Sequence, residues 1–162
     1  MSGRQHEGDH RIVAGVDGSA SSLEALRWAV RQAELTGATV DVVTAWQYPA
    51  TAVGFGWAMM PSDTEFAEIA AKTLAEAISK VVDPFSDARV RPVVVKGYPA
   101  QVLVEAAAGA DLLVVGSRGH GGFAGALLGS VSQHCLHQAV CPVVVIRGPS
   151  PRPTARYPES WD

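Results

Sequence analysis

Lysine is scarce in this chain. Among 162 residues only Lys72, Lys80 and Lys96 carry an ammonium side chain, and none stands in the Gly-Lys-Ser/Thr triplet that closes a Walker A loop, so that route to a nucleotide's terminal phosphates is excluded. Cysteine is scarcer still. Cys135 and Cys141 are too few for a disulfide framework and are expected to stay reduced. Surplus positive charge is missing as well: a net charge of -3 gives no general attraction to nucleic acid or to anionic membrane. No apolar run approaches the roughly 20 residues of a membrane helix, and the polar start from Met1 to His10 carries no signal-peptide core. No nucleophilic triad or paired-carboxylate arrangement stands out. The chain is therefore expected in the cytoplasm, with neither nucleic acid nor membrane as a partner.

What the chain has is glycine, concentrated in one place. Six of its sixteen glycines fall between Gly116 and Ser132, after the apolar run Leu112 to Val115 and before a helix-like segment from Val131 to Ala139. Glycines between the carboxyl end of a strand and the start of a helix suit an anion. The helix start offers unpaired N–H groups and a partial positive charge, and glycine lets backbone approach a phosphate with no Cβ in the way. The dinucleotide fingerprint is not met, since Gly119-His120-Gly121-Gly122 is a fragment of it placed late in the chain.

The spacing is Gly116, two residues, Gly119, nine residues, Gly129 and Ser130. It resembles the signature of the universal stress protein family, ATP-binding branch. Three further features occur in that family's order: Ile12 to Ser19 near the start, Asp111 to Val115 before the glycines, and Cys141 to Ile146 after them. The resemblance covers about residues 10 to 148. It implies ATP, with Mg2+ on the nucleotide, held by Gly15, Val16, Asp17, Ala45, Val115, Gly116, Ser117, Arg118, Gly119, Gly129, Ser130, Val131 and Ser132. Within that set it has Asp17 contact ribose or the phosphate-bound Mg2+, and the backbone near Ala45 meet the adenine edge. It also implies the strand order 3-2-1-4-5, Rossmann-like and close to the adenine nucleotide alpha hydrolases, and a homodimer through the last strand, Val143, Val144, Val145 and Ile146.

The residues themselves predict five strand-helix alternations, hence one α/β domain with a parallel sheet and helices on both faces. Residues 1–10 are expected to form a flexible leader, 11–148 the domain, and 149–162 a flexible tail with Pro149, Pro151, Pro153 and Pro158. The first strand runs Arg11 to Asp17, and its helix begins at Ser19, Ser21 or Ser22, with Ser21 and Glu24 spaced for a capping box, and ends at Gly37. The second strand spans Ala38 to Trp46. The segment from Gln47 to Pro61, rich in aromatics and methionine, reads equally as a lid, a contact surface or a loop folded on the sheet edge.

Ser62 and Glu65 fit a second capping box, opening a helix to Val82 whose stripe is Phe66, Ile69, Thr73, Ala77 and Val81. Pro92 places the third strand, Arg89 to Lys96, at a sheet edge, with Lys96 read as a solvated strand-end lysine. Pro99 opens a third helix that continues to Gly109. Ser130 and Gln133 fit a third capping box, leaving other first-turn N–H groups for ligand. Cys135 reads as a small buried apolar residue rather than a metal ligand with His134, His137 and Cys141.

Aspartate at a strand end is often a simple turn residue, but the carboxyl edge of a parallel sheet is where ligands collect, which favours a functional Asp17. Arg118 is a candidate phosphate cation. The resemblance implies an ATP-binding stress-response or signalling regulator with at most slow hydrolysis or autophosphorylation, while the residues themselves support an anionic phosphate ligand. The alternative is a dimeric interaction module that does not depend on nucleotide.

Overall fold

The apolar runs at Ile12, Val40, Leu113 and Val144 become neighbouring strands of one sheet. The computed structural model describes residues 9–50, 61–120 and 127–149. In chain order it has β1 (Arg11–Gly15), α1 (Ala20–Thr36), β2 (Thr39–Trp46), α2 (Asp63–Val81), β3 (Arg89–Lys96), α3 (Pro99–Ala106), β4 (Leu112–Gly116), α4 (Ser130–Gln138) and β5 (Val143–Ile146). The five strands lie in the order β3-β2-β1-β4-β5 and every pairing is parallel. Fold class and strand order are thus as expected.

Period-two alternation divides the strand residues between two cores. Ile12, Ala14, Val40, Val42 and Val114 face α1 and α2, meeting Leu26, Val30 and Leu74. Val13, Val43, Leu113 and Val115 face α3 and α4, meeting Val102, Leu103 and Cys135. Cys135 is fully buried as read from the sequence, and the same burial pushes its thiol up to about 11, with Cys141 adding to it, so it is inert at neutral pH. Gly37 ends α1 in the left-handed region at φ 73°, and Pro92 lies in β3, which among the described strands pairs only with β2.

The local readings of the first three helices fail in part. Ser19 caps α1 and accepts from Ser22 N–H, so Ser21 lies inside the first turn, and Glu24 pairs with Arg27 instead of closing a box. The buried face of α2 is Ala70, Leu74 and Ala77, leaving Ile69 59% exposed: two stripes overlap in this sequence, and the one with small residues lies closest to the sheet. Helix α3 stops at Ala106, where Ala107 caps it and Gly109 turns at φ 72°, short of the expected end. The Ser62–Glu65 box is present as read.

Lys96 is not a simply solvated side chain. Its Nζ lies 2.6 Å from Asp63 and over the rings of Trp46 and Tyr48 at 5.2 and 4.7 Å, while Trp46 stacks on Phe66 at 5.7 Å. This cluster joins the two ends of the 47–61 segment, whose residues 51–60 lie outside the described set, as do most of the leader and the tail. Among the described residues no helix is long and apolar enough to cross a membrane.

Asp41, 5% exposed on β2, accepts from Arg91 Nε at 2.7 Å, Arg91 Nη2 at 2.8 Å and Arg11 Nη1 at 3.2 Å. Burial pushes its pKa up, but the hydrogen bonds and charges of Arg91 and Arg11 outweigh that and hold it below the usual carboxylate value. A depressed folded-state pKa contributes stability that is present above the unfolded value, ~3.9, and is lost as pH falls through the folded value. Asp41→Asn is expected to lose about 2 kcal/mol at pH 7, the scale of hydrogen bonds to a charged group. In urea melts across pH 2 to 7 the gap from the parent should narrow below pH 4.

Candidate functional site

Strands β1 and β4 are neighbours, and the chain leaves them in opposite lateral directions, to β2 and to β5. The loops that follow them are therefore forced apart at the carboxyl edge of the sheet, opening a crevice. A cavity of about 290 Å³ lies there. Its wall brings together Gly15, Val16, Asp17, Ala45, Val115, Gly116, Arg118, Gly119, Gly129, Ser130, Val131 and Ser132. Twelve of the thirteen residues singled out in the sequence thus share one space; Ser117 does not line it.

Ser117 instead supports the wall from behind. Its N–H donates to Ile146 O at 2.7 Å, and its carbonyl accepts from Gly129 N–H at 2.7 Å and Ser132 Oγ at 3.1 Å. These bonds join the end of β4, the end of β5 and the start of α4. They set the position of the helix terminus, which is the part suited to a phosphate.

The terminus is built differently from the expected capping box. Gly129, not Ser130, is the N-cap, so Ser130 is the first helical residue and Gln133 spends its N–H on Gly129 O at 3.0 Å. A glycine cap has no side-chain oxygen, and no side chain caps this helix. The N–H groups of Ser130, Val131 and Ser132 accordingly have no acceptor among the described residues. Three aligned donors at a positive helix end face the cavity that these residues line.

Glycine is needed where the two loops meet. A Cβ on Gly116 would lie 2.5 Å from Ser21 Oγ and 2.7 Å from the Ser21 carbonyl carbon, and one on Gly119 would lie 2.8 Å from Asp17 Oδ2. The loops are also bonded to each other. Ser21 Oγ donates to Arg118 O and accepts from Arg118 N–H, the latter at 3.3 Å.

Asp17 holds both loops. Its Oδ1 accepts from Ser19 N–H at 2.9 Å and Ser19 Oγ at 2.5 Å, and its Oδ2 accepts from His120 N–H at 3.3 Å. Burial opposes its charge, but the Ser19 hydroxyl and N–H, joined by Ser22 and the His120 side chain, keep its pKa below the usual carboxylate value. Asp17 is therefore a latch as well as a wall residue. Arg118 and His120 bring positive or protonatable side chains to the same wall.

Sequence reasoning missed Ser21, Ser22, Leu103 and His120. His120 counted only as spacing between Gly119 and Gly129, although its place just after the second glycine was the available signal. The sequence marks Ser21 and Ser22 only as candidate caps. Leu103 reaches the cavity from α3 across the sheet, and no local pattern marks it.

The model of the universal stress protein family matches residues 10–147. The universal stress protein Rv2005c of Mycobacterium tuberculosis is 36% identical over 138 residues, which is 84% of this chain and 45% of that protein. The chain thus spans about half the length of the curated relatives it matches. A universal stress protein solved in complex with cAMP superposes with a TM-score of 0.66 at 27% identity, over 86% of this chain and 98% of that one. The universal stress protein from Archaeoglobus fulgidus in complex with dAMP gives 0.60 at 26%, over 85% and 97%. On these matches, which extend across the whole described sheet and both cavity loops, the chain belongs to the universal stress protein family.

Proposed function

We propose that the chain is a nucleotide-responsive regulator that binds an adenine nucleotide, ATP with Mg2+, and answers by a change of conformation or partner. The observation that carries this is the uncapped start of α4: three N–H donors at Ser130, Val131 and Ser132 facing a cavity that also reaches Ala45. Solved relatives in complex with cAMP and dAMP support an adenine nucleotide over other phosphate ligands.

The residues present fit such a ligand. Phosphates go to the α4 terminus and the Gly116–Gly119 loop, with Arg118 adding charge. The base goes toward β2. In a parallel ladder a residue's N–H and C=O point to the same side, alternating along the strand. Val43 O accepts from Val16 N–H at 2.9 Å, so Val43 points toward β1 and Ala45, two residues on, points the same way. Strand β1 has ended by then, and Ala45 presents its backbone donor and acceptor to the crevice. Asp17 Oδ2 accepts only one bond among the described residues, which leaves a lone pair for a Mg2+-bound water. Mg2+ would supply charge neutralisation on the phosphates.

Turnover is expected to be slow or absent. Phosphoryl transfer needs a positioned nucleophile and positive charge on the terminal phosphate. The described wall offers Arg118 and His120 for charge, and its carboxylate, Asp17, is engaged in holding the loops. The assembly proposed is a homodimer across β5, which pairs with β4 alone among the described strands and presents a run of Val143 to Ile146.

The test is mass spectrometry of nucleotide released on denaturing the purified protein, beside thermal melts with added ATP and Mg2+. Binding is expected to stabilise the fold by about 2.7 kcal/mol at a hundredfold excess over Kd. A flat melt at millimolar ATP, with no nucleotide released, would favour the nucleotide-independent interaction module.

A further inference from the structure

The β1–β2 ladder ends before β2 does. The last paired residues are Gly15 and Val43, and one further bond, Val16 N–H to Val43 O, follows at 2.9 Å. The next rung of a parallel ladder would run from Ala45 N–H to Val16 O, and the one after it from Gly18 N–H to Ala45 O. Neither forms among the described backbone bonds. On the opposite edge β2 continues normally, since Gly97 N–H still donates to Trp46 O at 2.8 Å and Ala45 stays in register with Val95.

Two separate devices stop the rungs. Gly18 turns away at φ 83°, which removes the donor that Ala45 O would meet. The other is a side chain. Thr44 is 5% exposed, and its Oγ1 donates to Val16 O at 2.8 Å, occupying one lone pair of the carbonyl that the Ala45 N–H would meet in a continued ladder. A threonine on the strand itself thus satisfies the final carbonyl of its neighbour and ends the ladder one rung early.

We propose that Thr44 is a positioning residue for base recognition: its hydroxyl holds Val16 O and so leaves the Ala45 N–H and C=O together as a donor-acceptor pair for the base edge. The inference rests on the adenine-nucleotide reading above. Adenine presents an amino donor beside a ring-nitrogen acceptor, and guanine presents a carbonyl acceptor beside a ring N–H donor, in the reverse order along the edge. With the phosphates held at α4, a fixed backbone pair matches one of these orders. Thr44 acts on the ligand only through Ala45, and its loss changes discrimination among bases while the phosphate end is untouched.

Thr44→Val keeps the shape and removes the hydroxyl; Thr44→Ser keeps the hydroxyl; Thr44→Ala is a second hydroxyl-free variant should the valine not fold. The first readout needs no ligand. Hydrogen exchange at the Ala45 amide is expected to be fast in the parent and in Thr44→Ser, and slowed in Thr44→Val as Ala45 N–H closes onto Val16 O. The second is calorimetric titration with ATP, GTP and inorganic triphosphate, each with Mg2+. Thr44→Val should bind ATP about tenfold more weakly, the scale of one or two hydrogen bonds, and lose preference over GTP, with inorganic triphosphate unchanged. Unaltered Ala45 exchange together with parent-like ATP affinity in Thr44→Val would overturn the proposal. A parent that binds none of the three ligands would refute the nucleotide reading instead, and the Ala45 exchange would then decide the role of Thr44 alone.

Discussion

Gly129→Asp is expected to abolish nucleotide binding while leaving the fold as stable as before or slightly more so. The backbone at Gly129 is already that of an ordinary N-cap, φ -74° and ψ 165°. A Cβ there meets Arg118 Cα and Ser117 O at 3.5 Å, which is normal contact. An aspartate would fit, accept from the N–H of Val131 or Ser132, and stabilise α4 by a few tenths of a kcal/mol relative to glycine. The same carboxylate would occupy the donors proposed to hold phosphate and add a negative charge about 4 Å away, worth ~4 kcal/mol of repulsion at an effective dielectric of 20. Affinity for ATP should fall about a hundredfold or more. Gly129→Asn takes the donors without the charge and should fall by roughly tenfold. Paired melts and titrations read both effects. A Gly129→Asp protein that binds ATP as the parent does would mean that the phosphates lie elsewhere.

Gly116→Ala is expected to be the most damaging small substitution in the site, costing about 3 kcal/mol, the upper end of ordinary overpacking. The added Cβ would meet Ser21 Oγ at 2.5 Å, the Ser21 carbonyl carbon at 2.7 Å and Ser22 N at 2.8 Å. Two of these three are backbone atoms in the first turn of α1. They can yield only if the helix shifts, and Ala25, Leu26 and Ala29 fix it against the sheet. A loss on that scale is a large share of the roughly 5–15 kcal/mol that holds a domain together. Trimming Ser21 to alanine removes the hydroxyl clash alone, so the double variant should recover little. Gly15→Ala offers the contrast. Its Cβ would meet Leu103 Cδ1 at 2.8 Å, a side-chain atom, and a smaller residue at 103 should relieve it. Chemical denaturation of the two pairs distinguishes a backbone clash from a side-chain one.

These two glycines show what was legible in the sequence. The fold was, because five apolar runs alternating with helix-period segments leave few other arrangements, and the spacing from Gly116 to Ser130 identified the family with its strand order. Much of the cavity wall was legible as well, through the family resemblance and because strand ends of a parallel sheet share one edge, but Ser22, Val43, Pro99, Leu103 and His120 were not. Their division of labour was not. Ser130 carried a serine-x-x-glutamine pattern and read as the cap, yet the chain places Gly129 there, because Ser117 O takes the Gly129 N–H and fixes that residue as the turn into the helix. Asp17 reads as a ligand contact, and in the structure it holds the loops, through the adjacent Ser19 and through His120, 103 positions away. Nothing in the sequence marks Thr44. A threonine in a strand is ordinary, and its meaning depends on which carbonyl happens to end the strand beside it. The offset stripe of α2 has the same origin: Ile69 is as apolar as Leu74, and only the packing of Ala70 and Ala77 on the sheet chooses between them.

In the proposed complex the uncapped first turn of α4 receives the phosphates. Amide chemical shifts recorded while ATP and Mg2+ are titrated into labelled protein check this residue by residue. The Ser130, Val131 and Ser132 N–H signals should move far downfield together, with Gly119 following and the Asp41 region, toward the amino end of β2, unmoved. Saturating ATP that shifts residues elsewhere and leaves those three amides in place would contradict it.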